Sequence, residues 1–274
     1  MSRTLHEIIG FEAADHYKNA YVALIGLGSC EYHGPHAPLG TDTIIAQEIV
    51  KRTADQLNKE GLTTVVVPQI PFGYSILHET FPGTISISNE TLTALLKEIF
   101  EGLWRNGVNF IMIVNPHDGN APAVDLASYE FRAKHPEVMI ASCTYWDLTR
   151  GVKAVDDLYA KDPFKGKGHG GTEEMALVMA VNEKYVDLSK ASMGIVDEAA
   201  IEQVGQPRPF MFHGLEVFLS TEEWAPMGYD GDARLASAKT GNLDYDYVVD
   251  GLVKTIKKIK KAKFPPSGRL PKKK

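Results

Sequence analysis

The chain has 274 residues, of which 44% are hydrophobic, and can therefore bury the core of one large domain. It has no run near the ~20 apolar residues of a membrane span and no apolar core of a secretory signal, so we expect a cytoplasmic protein with no membrane partner. The net charge of −6 and the two cysteines argue against nucleic-acid binding, a disulfide framework and a zinc site built on thiolates.

Short β-branched runs alternate with helical patterns, which is typical of a parallel sheet covered by helices on both faces. The strands are predicted, in chain order, at residues 20–28, 63–70, 109–116 and 138–146. We therefore predict an α/β fold, a three-layer αβα sandwich with a mostly parallel central sheet.

The clearest helical pattern covers residues 89–107. Asn89 can cap its N-terminus, and Gly107 can end it. Its apolar stripe is formed by Leu92, Leu95, Leu96, Ile99, Phe100 and Leu103. A further helix is predicted through residues 172–186, whereas 149–168 and 195–235 are interpreted as long loops with short elements.

The C-terminal stretch is strongly basic. Ten of the 29 basic residues and none of the acidic residues lie at 254–274, so the rest of the chain is acidic and would repel phosphate. Apolar residues at helical spacing from Val249 to Ile259 predict a helix with its lysines on the other face. We divide the chain into a single domain at 1–263 and a basic, flexible tail at 264–274.

Polar motifs follow the first and third predicted strands. The motif GSCEYHGPH carries Glu31, His33 and His36, and the motif NPHDGN carries His117 and Asp118. Ligands of open parallel sheets bind where the strands end, so the fold should bring these side chains to one edge. The spacing of Glu31 and His33 puts both on one face of an extended backbone.

Two further segments extend this candidate site. Asp42 follows a Gly/Pro-rich loop that can fold back, and the motif GKGHGGTEEM carries His169 and Glu174. The combined set offers two imidazoles and three carboxylates, which suits zinc, manganese or iron. Its members are Glu31, His33, Asp42, His117 and Glu174. His36 and His169 remain for substrate contact or proton transfer.

Glu174 is predicted to face the site in preference to Glu173. Leu177, Val178 and Val181 must face the core, and Glu174 lies on the same inward stripe of the helix, whereas Glu173 should lean toward its edge.

Structural explanations exist for each of these residues. A histidine in a loop often only forms hydrogen bonds, and acids such as Glu173 and Glu174 are favoured at any helix N-terminus. Asp118 and Asn120 could be turn and capping residues. The histidines outside the strand-end motifs are interpreted as structural: His6, His16, His135 and His213.

Five blocks between residues 28 and 242 resemble the creatininase (creatinine amidohydrolase) family. GSCEYHGPHAPLGTD is similar to its E-x-H-G-x-H…G-T-D run, and NPHDGN to its N-G-H-x-x-N turn. HGGTEEM is similar to its H-A-G-x-x-E run. HETFPGTIS and MGYDGDARLASAKTGN resemble two further segments of the family.

The resemblance implies a creatininase-like fold with one or two divalent metal ions per chain. In the family, the positions matching Glu31, Asp42 and His117 hold one ion, and those matching His33 and Asp42, with a further Glu, hold another. Creatininase takes that Glu from a position that is Gly119 here, and Glu174 is the natural replacement. The chain therefore resembles a member other than creatininase proper.

The resemblance also implies a hydrolase that activates water to open a small polar ring at a carbonyl carbon. A cyclic amide is the leading substrate. The alternatives are a C–C hydrolase of a cyclic diketone in inositol catabolism (3-dehydro-scyllo-inosose hydrolase-like), a small-peptide amidase, and a non-catalytic metal- or ligand-binding α/β module.

The predicted roles follow from this mechanism. His169, on a flexible glycine loop, is predicted to donate a proton to the leaving group. His78 is expected to line the site from a loop that a neighbouring subunit could supply, because the family forms homo-oligomers, with a hexamer expected. Trp146, beside Tyr145, could equally line the pocket or belong to the core.

Overall fold

The computed structural model describes residues 2–162, 165–194, 211–212, 215–216 and 220–262. A four-stranded sheet lies at its centre, formed by β1 (Val22–Gly26), β2 (Thr64–Val66), β3 (Phe110–Val114) and β4 (Met139–Cys143). The strand order is β2-β1-β3-β4, and all neighbours are parallel. Each strand lies within a predicted run.

Nine helices are described in these ranges. They are α1 (Gly10–Lys18), α2 (Thr41–Lys59), α3 (Asn89–Arg105), α4 (Ala121–Lys134), α5 (Tyr145–Thr149), α6 (Lys153–Leu158), α7 (Thr172–Val181), α8 (Thr221–Trp224) and α9 (Ala238–Lys261). Two-residue strands, β5 (Met211–Phe212) and β6 (Leu215–Glu216), pair antiparallel.

Alternate residues of the sheet enter two separate cores. Val22 and Leu24 pack with side chains of α2, α7 and α9, whereas Ala23 and Ile25 pack with side chains of α3 and α4. Because both faces of the sheet are covered, the central strands β1 and β3 are buried and apolar throughout. The predicted three-layer αβα sandwich is confirmed.

Several element ends differ from the sequence predictions. Helix α3 is capped by Ser88, whose side chain accepts from the Thr91 N–H, while Asn89 is its first residue. Strand β2 ends before Pro68, which cannot donate to a ladder. Helix α7 ends at Val181, because the Asn182 side chain begins a 3₁₀ turn there.

The C-terminal helix has the predicted phase. Val249, Leu252, Val253 and Ile256 are buried on α9. The predicted flexible tail at 264–274 lies outside the described residues, as do His213 and most of the long loop predicted at 195–235. No described helix has the length and apolar character to span a membrane.

Candidate metal centre

Loops and helix starts at the carboxyl edge of the sheet carry the candidate ligands. The loop after β1 holds Glu31 and His33, and the loop after β3 holds His117. Asp42 lies in the first turn of α2, and Glu174 in the first turn of α7. The parallel topology brings all five side chains together at one edge.

Glu31, Asp42 and His117 form one group of potential metal ligands. The Glu31 Oε1 atom is 3.2 Å from His117 Nδ1, and Asp42 Oδ2 is 3.6 Å from the same nitrogen. All three side chains are buried. Ligand atoms within 4.8 Å of one another, as here, can hold a metal ion.

His33, His169 and Glu174 form a second such group. His33 Nε2 lies 3.8 Å from Glu174 Oε2 and 3.5 Å from Asp42 Oδ1, so Asp42 faces both groups. The ring of His169 stacks on that of His33, with centroids 4.0 Å apart. A third group shares members with the first two and consists of Glu31, His78 and His169.

Backbone carbonyl groups orient three of the imidazoles. Each ring donates one N–H to a carbonyl oxygen: His33 Nδ1 to Glu31 at 3.1 Å, His117 Nε2 to Tyr74 at 2.8 Å and His169 Nε2 to Tyr32 at 2.8 Å. Because a carbonyl oxygen only accepts, the other nitrogen of each ring is the one that can bind a proton or a metal ion. Metal-binding imidazoles are held in this way.

Three buried atoms of the cluster have no hydrogen-bond partner among the described residues. They are Glu31 Oε2 and His33 Nε2 in the first two groups, and His78 Nδ1 in the third. A buried carboxylate costs several kcal/mol unless a cation or hydrogen bonds compensate it. Carboxylate oxygens and imidazole nitrogens together are a donor set for Zn²⁺, Mn²⁺ or Fe²⁺, so the residues present can hold a divalent metal.

Protons and metal ions compete for the same nitrogens. Burial opposes charge on His33, but the Asp42 and Glu174 carboxylates raise its pKa to about 10. Burial also opposes charge on His117, whereas Glu31 and Asp42 raise its pKa to about 9. Metal binding must displace these protons, so metal affinity should fall as the pH falls.

Hydrogen bonds orient two of the carboxylates. The Ser29 hydroxyl donates to Asp42 Oδ2, and the Gly170 N–H donates to Glu174 Oε2 at 2.7 Å. The sequence analysis missed Ser29, although it stands inside the motif GSCEYHGPH. A serine in a loop carries no sequence signal that separates an orienting role from an ordinary turn.

Gly119 stands where the resemblance noted above implies that creatininase has a further carboxylate. A Cβ atom there would overlap the Tyr74 carbonyl oxygen and the His117 ring. This backbone therefore excludes any side-chain ligand at residue 119. The Glu174 carboxylate lies beside His33 and can serve in its place.

The other predicted site residues differ in their relation to the cluster. His78 is buried, with its Nε2 atom 3.9 Å from Glu31 Oε1. His36 is also buried, but its Nε2 atom contacts a backbone carbonyl 2.9 Å away. Asp118 is exposed in a 3₁₀ turn, and Trp146 packs against the hydrophobic core. Of these four residues, only His78 belongs to one of the groups of potential metal ligands found among the described residues.

Glu173 is placed differently from the prediction. Its carboxyl group is buried and hydrogen-bonded to Asp244 of α9, instead of lying at the edge of the stripe. The Tyr159 hydroxyl donates to the same Asp244 carboxylate at 2.7 Å. Val181, predicted to face the core, is 40% exposed at the end of α7. Helix phase alone does not reveal a partner that comes from a helix much later in the chain.

The glycine loop that carries His169 is tied into the fold. The His169 N–H donates to Asp230 Oδ1, and its Nε2–H to the Tyr32 carbonyl. A Cβ atom at Gly170 would overlap the His33 carbonyl oxygen. Gly170 therefore permits a close approach of two backbone segments. The sequence pattern favours a flexible loop, whereas in the structure hydrogen bonds hold this loop in place.

The chain is similar to one family of known proteins along most of its length. The family described as creatinine amidohydrolase (creatininase) matches residues 6–256. The chain is 27% identical over 259 residues to creatinine amidohydrolase of Pseudomonas putida, covering 90% of this chain and 91% of that protein.

Two other relatives have different names. A mycofactocin precursor peptide peptidase of Mycobacterium ulcerans is 29% identical over 241 residues, covering 85% of this chain and 83% of its own. A 3-dehydro-scyllo-inosose hydrolase of Thermotoga maritima is 28% identical over 275 residues, covering 93% of this chain and 82% of that protein. Among solved structures, a manganese form of creatininase superposes with a TM-score of 0.78 at 22% identity, covering 96% of this chain and 100% of that chain.

Proposed function

The chain belongs to the creatininase (creatinine amidohydrolase) family and is a metal-dependent hydrolase, and we propose that it opens a small polar cyclic substrate at a carbonyl carbon. The observation that carries this proposal is the buried cluster of carboxylates and carbonyl-anchored imidazoles at the sheet edge. A cyclic amide cleaved at its C–N bond is the reaction we assign, because creatinine amidohydrolase is similar over nine-tenths of both chains.

We assign five side chains to metal binding. Glu31, Asp42 and His117 would hold one divalent ion, and His33 and Glu174, with Asp42, would hold a second. A bound ion would supply Lewis-acid polarisation of the substrate carbonyl and increase the acidity of water at the site. The burial of these side chains would exclude other water from the reacting groups.

His169 is the group we assign to proton transfer. Its Nε2–H is committed to the Tyr32 carbonyl, and its Nδ1 atom faces the cluster, 3.9 Å from Glu31 Oε1. Burial and the neighbouring His33 and His78 lower the pKa of His169 well below its usual value. The neutral ring would therefore take a proton at Nδ1 from the attacking water and then give it to the leaving group.

Metal analysis and a hydrolysis assay together test the proposal. Protein purified without chelator should hold one to two equivalents of zinc, manganese or iron by elemental analysis. It should hydrolyse at least one member of a panel of five- and six-membered cyclic amides that includes creatinine. Removal of the metal should abolish turnover, and its return should restore it.

Two variants separate metal binding from proton transfer. Glu31→Gln should lose metal and turnover together, whereas His169→Ala should keep its metal and lose ~10²–10⁴-fold in rate. Loss of metal from His169→Ala would identify this residue as a ligand instead. A fully metal-loaded protein that hydrolyses no compound of the panel would contradict the assigned reaction.

A second candidate reaction is C–C hydrolysis of a cyclic diketone. The similarity to 3-dehydro-scyllo-inosose hydrolase covers 93% of this chain and favours it. The same cluster serves either reaction, because both begin with attack of water on a carbonyl carbon. A cyclic diketone and a short peptide therefore belong in the substrate panel, and the ratio of their kcat/KM values to that of the cyclic amides decides between the reactions.

A further inference from the structure

His36 lies beside the candidate metal centre but is not part of it. The residue is 2% exposed, and its Nε2 atom is 2.9 Å from the Gly170 carbonyl oxygen. The edge of its ring meets Tyr229, with the centroids 5.0 Å apart. Within the described chain it is in none of the three groups of potential ligands. It contacts the protein's own backbone, although the sequence pattern favours contact with substrate.

The hydrogen bond fixes the protonation of the His36 ring. Because the Gly170 carbonyl oxygen only accepts, His36 Nε2 must carry the hydrogen. Burial lowers the pKa of His36, so the ring is neutral. Its Nδ1 atom has no partner among the described residues. The bond to Gly170 is therefore the only hydrogen bond that the ring makes within the described part of the chain.

Gly170 stands between two residues of the metal centre. Its carbonyl accepts from His36, its N–H donates to Glu174 Oε2, and it directly follows His169. Its φ of +71° lies in the left-handed region, and a Cβ atom there would overlap the His33 carbonyl oxygen. A displacement of this glycine would move the His169 ring and remove the hydrogen bond that orients Glu174.

We propose that His36 is a positioning residue whose Nε2–H holds the Gly170 carbonyl and thereby keeps His169 and Glu174 facing the metal centre. The inference rests on the proposed function, since these two residues are assigned to proton transfer and metal binding. A residue that orients ligands affects metal affinity and kcat, whereas a residue that touches the substrate affects KM.

Three variants separate these roles. His36→Leu removes the donor but keeps apolar bulk, and His36→Gln keeps an N–H donor at similar reach. Tyr229→Phe is the matched control, because it keeps the ring against His36 and removes only the hydroxyl bonded to Ser192 at 2.6 Å. Zn²⁺ is titrated into each metal-free protein by calorimetry, and kcat and KM are measured on the hydrolysed substrate.

We expect His36→Leu to bind one equivalent of zinc ~10–100-fold more weakly and to lose kcat with little change in KM. His36→Gln should recover most of both losses, and Tyr229→Phe should resemble the wild type. Wild-type zinc affinity in His36→Leu together with a raised KM would overturn the proposal and make His36 a substrate contact. Equal losses in the Leu and Gln variants would also overturn it.

A spectroscopic measurement covers the case in which His36→Leu fails to fold. In wild-type protein labelled with ¹⁵N-histidine, the ring of His36 should show the Nε2–H tautomer, and an Nδ1–H tautomer would overturn the inference. If the wild type neither binds zinc nor hydrolyses any substrate, the proposed function fails. Two measurements that need neither metal nor turnover still decide the role of His36. They are the tautomer of its ring and the Gly170 amide signal, which should shift in the Leu variant but not in the Gln variant.

Discussion

Asp42 faces both groups of potential ligands with its two carboxylate oxygens. Its Oδ1 atom is 3.5 Å from His33 Nε2, and its Oδ2 atom is 3.6 Å from His117 Nδ1. We predict that Asp42→Ala loses both equivalents of metal, whereas His33→Ala loses one, because His33 touches only one of the two positions. Elemental analysis of the two purified variants measures this, and an equal loss of one equivalent in both would contradict a bridging role.

The two adjacent glutamates of α7 should respond differently to the same substitution. Glu174→Gln should lose one metal ion and most activity, because it removes a carboxylate beside His33. Glu173→Gln should be nearly silent, since an amide can still donate to Asp244, its hydrogen-bond partner. Metal content and kcat/KM measure both effects, and the reverse pattern would refute the assignment.

Glu173→Ala tests the physical reason for that silence. It leaves the buried Asp244 carboxylate with one donor fewer, and such a loss destabilises a protein by ~1–3 kcal/mol. Chemical unfolding should therefore give a lower free energy of unfolding for Glu173→Ala than for Glu173→Gln. Equal stability of the two variants would mean that the hydrogen bond between Glu173 and Asp244 contributes nothing to the stability of the fold.

Individual residues of the centre were predictable where the chemistry lies in one motif. Glu31, His33 and His117 lie in the loops after β1 and β3, and the parallel sheet brings both loops to the same edge. The contacts of His36 and Glu173 were not predictable, because their partners lie in the glycine loop and in α9. Sequence spacing within one element cannot report such partners.

Helices α7 and α9 approach unusually closely, and one glycine permits it. A Cβ atom at Gly241 of α9 would overlap the Ala176 carbonyl group of α7. We predict that Gly241→Ala destabilises the protein by ~1–3 kcal/mol or more through overpacking. Gly102→Ala on α3 is the control, because a Cβ atom there meets nothing within 4 Å. That change should stabilise by ~0.5–1 kcal/mol, and chemical unfolding that ranks the two variants equally would contradict the packing argument.

The buried carboxyl pair between the same helices gives the stability a specific pH dependence. Burial raises the pKa of Asp244 to about 6, despite the hydrogen bonds from Tyr159 and Glu173. The folded state therefore binds a proton more tightly than the unfolded state, whose aspartate has a pKa of ~3.9. The stabilisation that comes from protonating Asp244 in the folded state is fully present below pH ~4 and is lost as the pH rises through about 6.

Asp244→Asn removes this titration. The free energy of unfolding of the wild type, minus that of Asp244→Asn, should fall by on the order of 2 kcal/mol between pH 4 and 7. Urea unfolding at a series of pH values measures the difference, and the shared metal centre largely cancels in it. A difference that is constant across this range would show that the carboxyl group does not change its protonation on folding.

Element types were predictable and element ends were not. Strands β1 and β3 are buried on both faces, and their short, β-branched apolar runs bounded by turn residues predict them as strands. The end of β2 is set by Pro68, and the start of α3 by Ser88. Such ends depend on single hydrogen bonds, which an apolar stripe does not encode.

At the scale of the whole molecule, apolar side chains are exposed around the loop that holds His78. Phe72, Ile76, Leu77 and Ile85 are 40%, 47%, 47% and 53% exposed. We propose that this chain forms a homo-oligomer, as the family resemblance implies, and such an assembly would cover this surface. Light scattering should therefore give a mass several times the 30.2 kDa of the chain.

A single charge should weaken that assembly. Leu77→Glu should shift the mass toward smaller species, whereas Phe11→Glu on α1, at a residue that is 95% exposed, should leave it unchanged. A monomeric wild-type protein would contradict the proposal. If both variants dissociate equally, the contact between subunits does not lie at the exposed apolar side chains around His78.

The ligands of the centre come from three stretches that are far apart along the chain, 31–42, 117 and 174, and this would make a bound ion a cross-link as well as a reagent. An unfolded chain cannot hold such a set together, so the ion binds only the folded form. At a free concentration 1,000-fold above its Kd, each ion would add ~4 kcal/mol to the free energy of unfolding. A chelator would then act on this protein as a mild denaturant, and the metal supply would set how long the molecule survives.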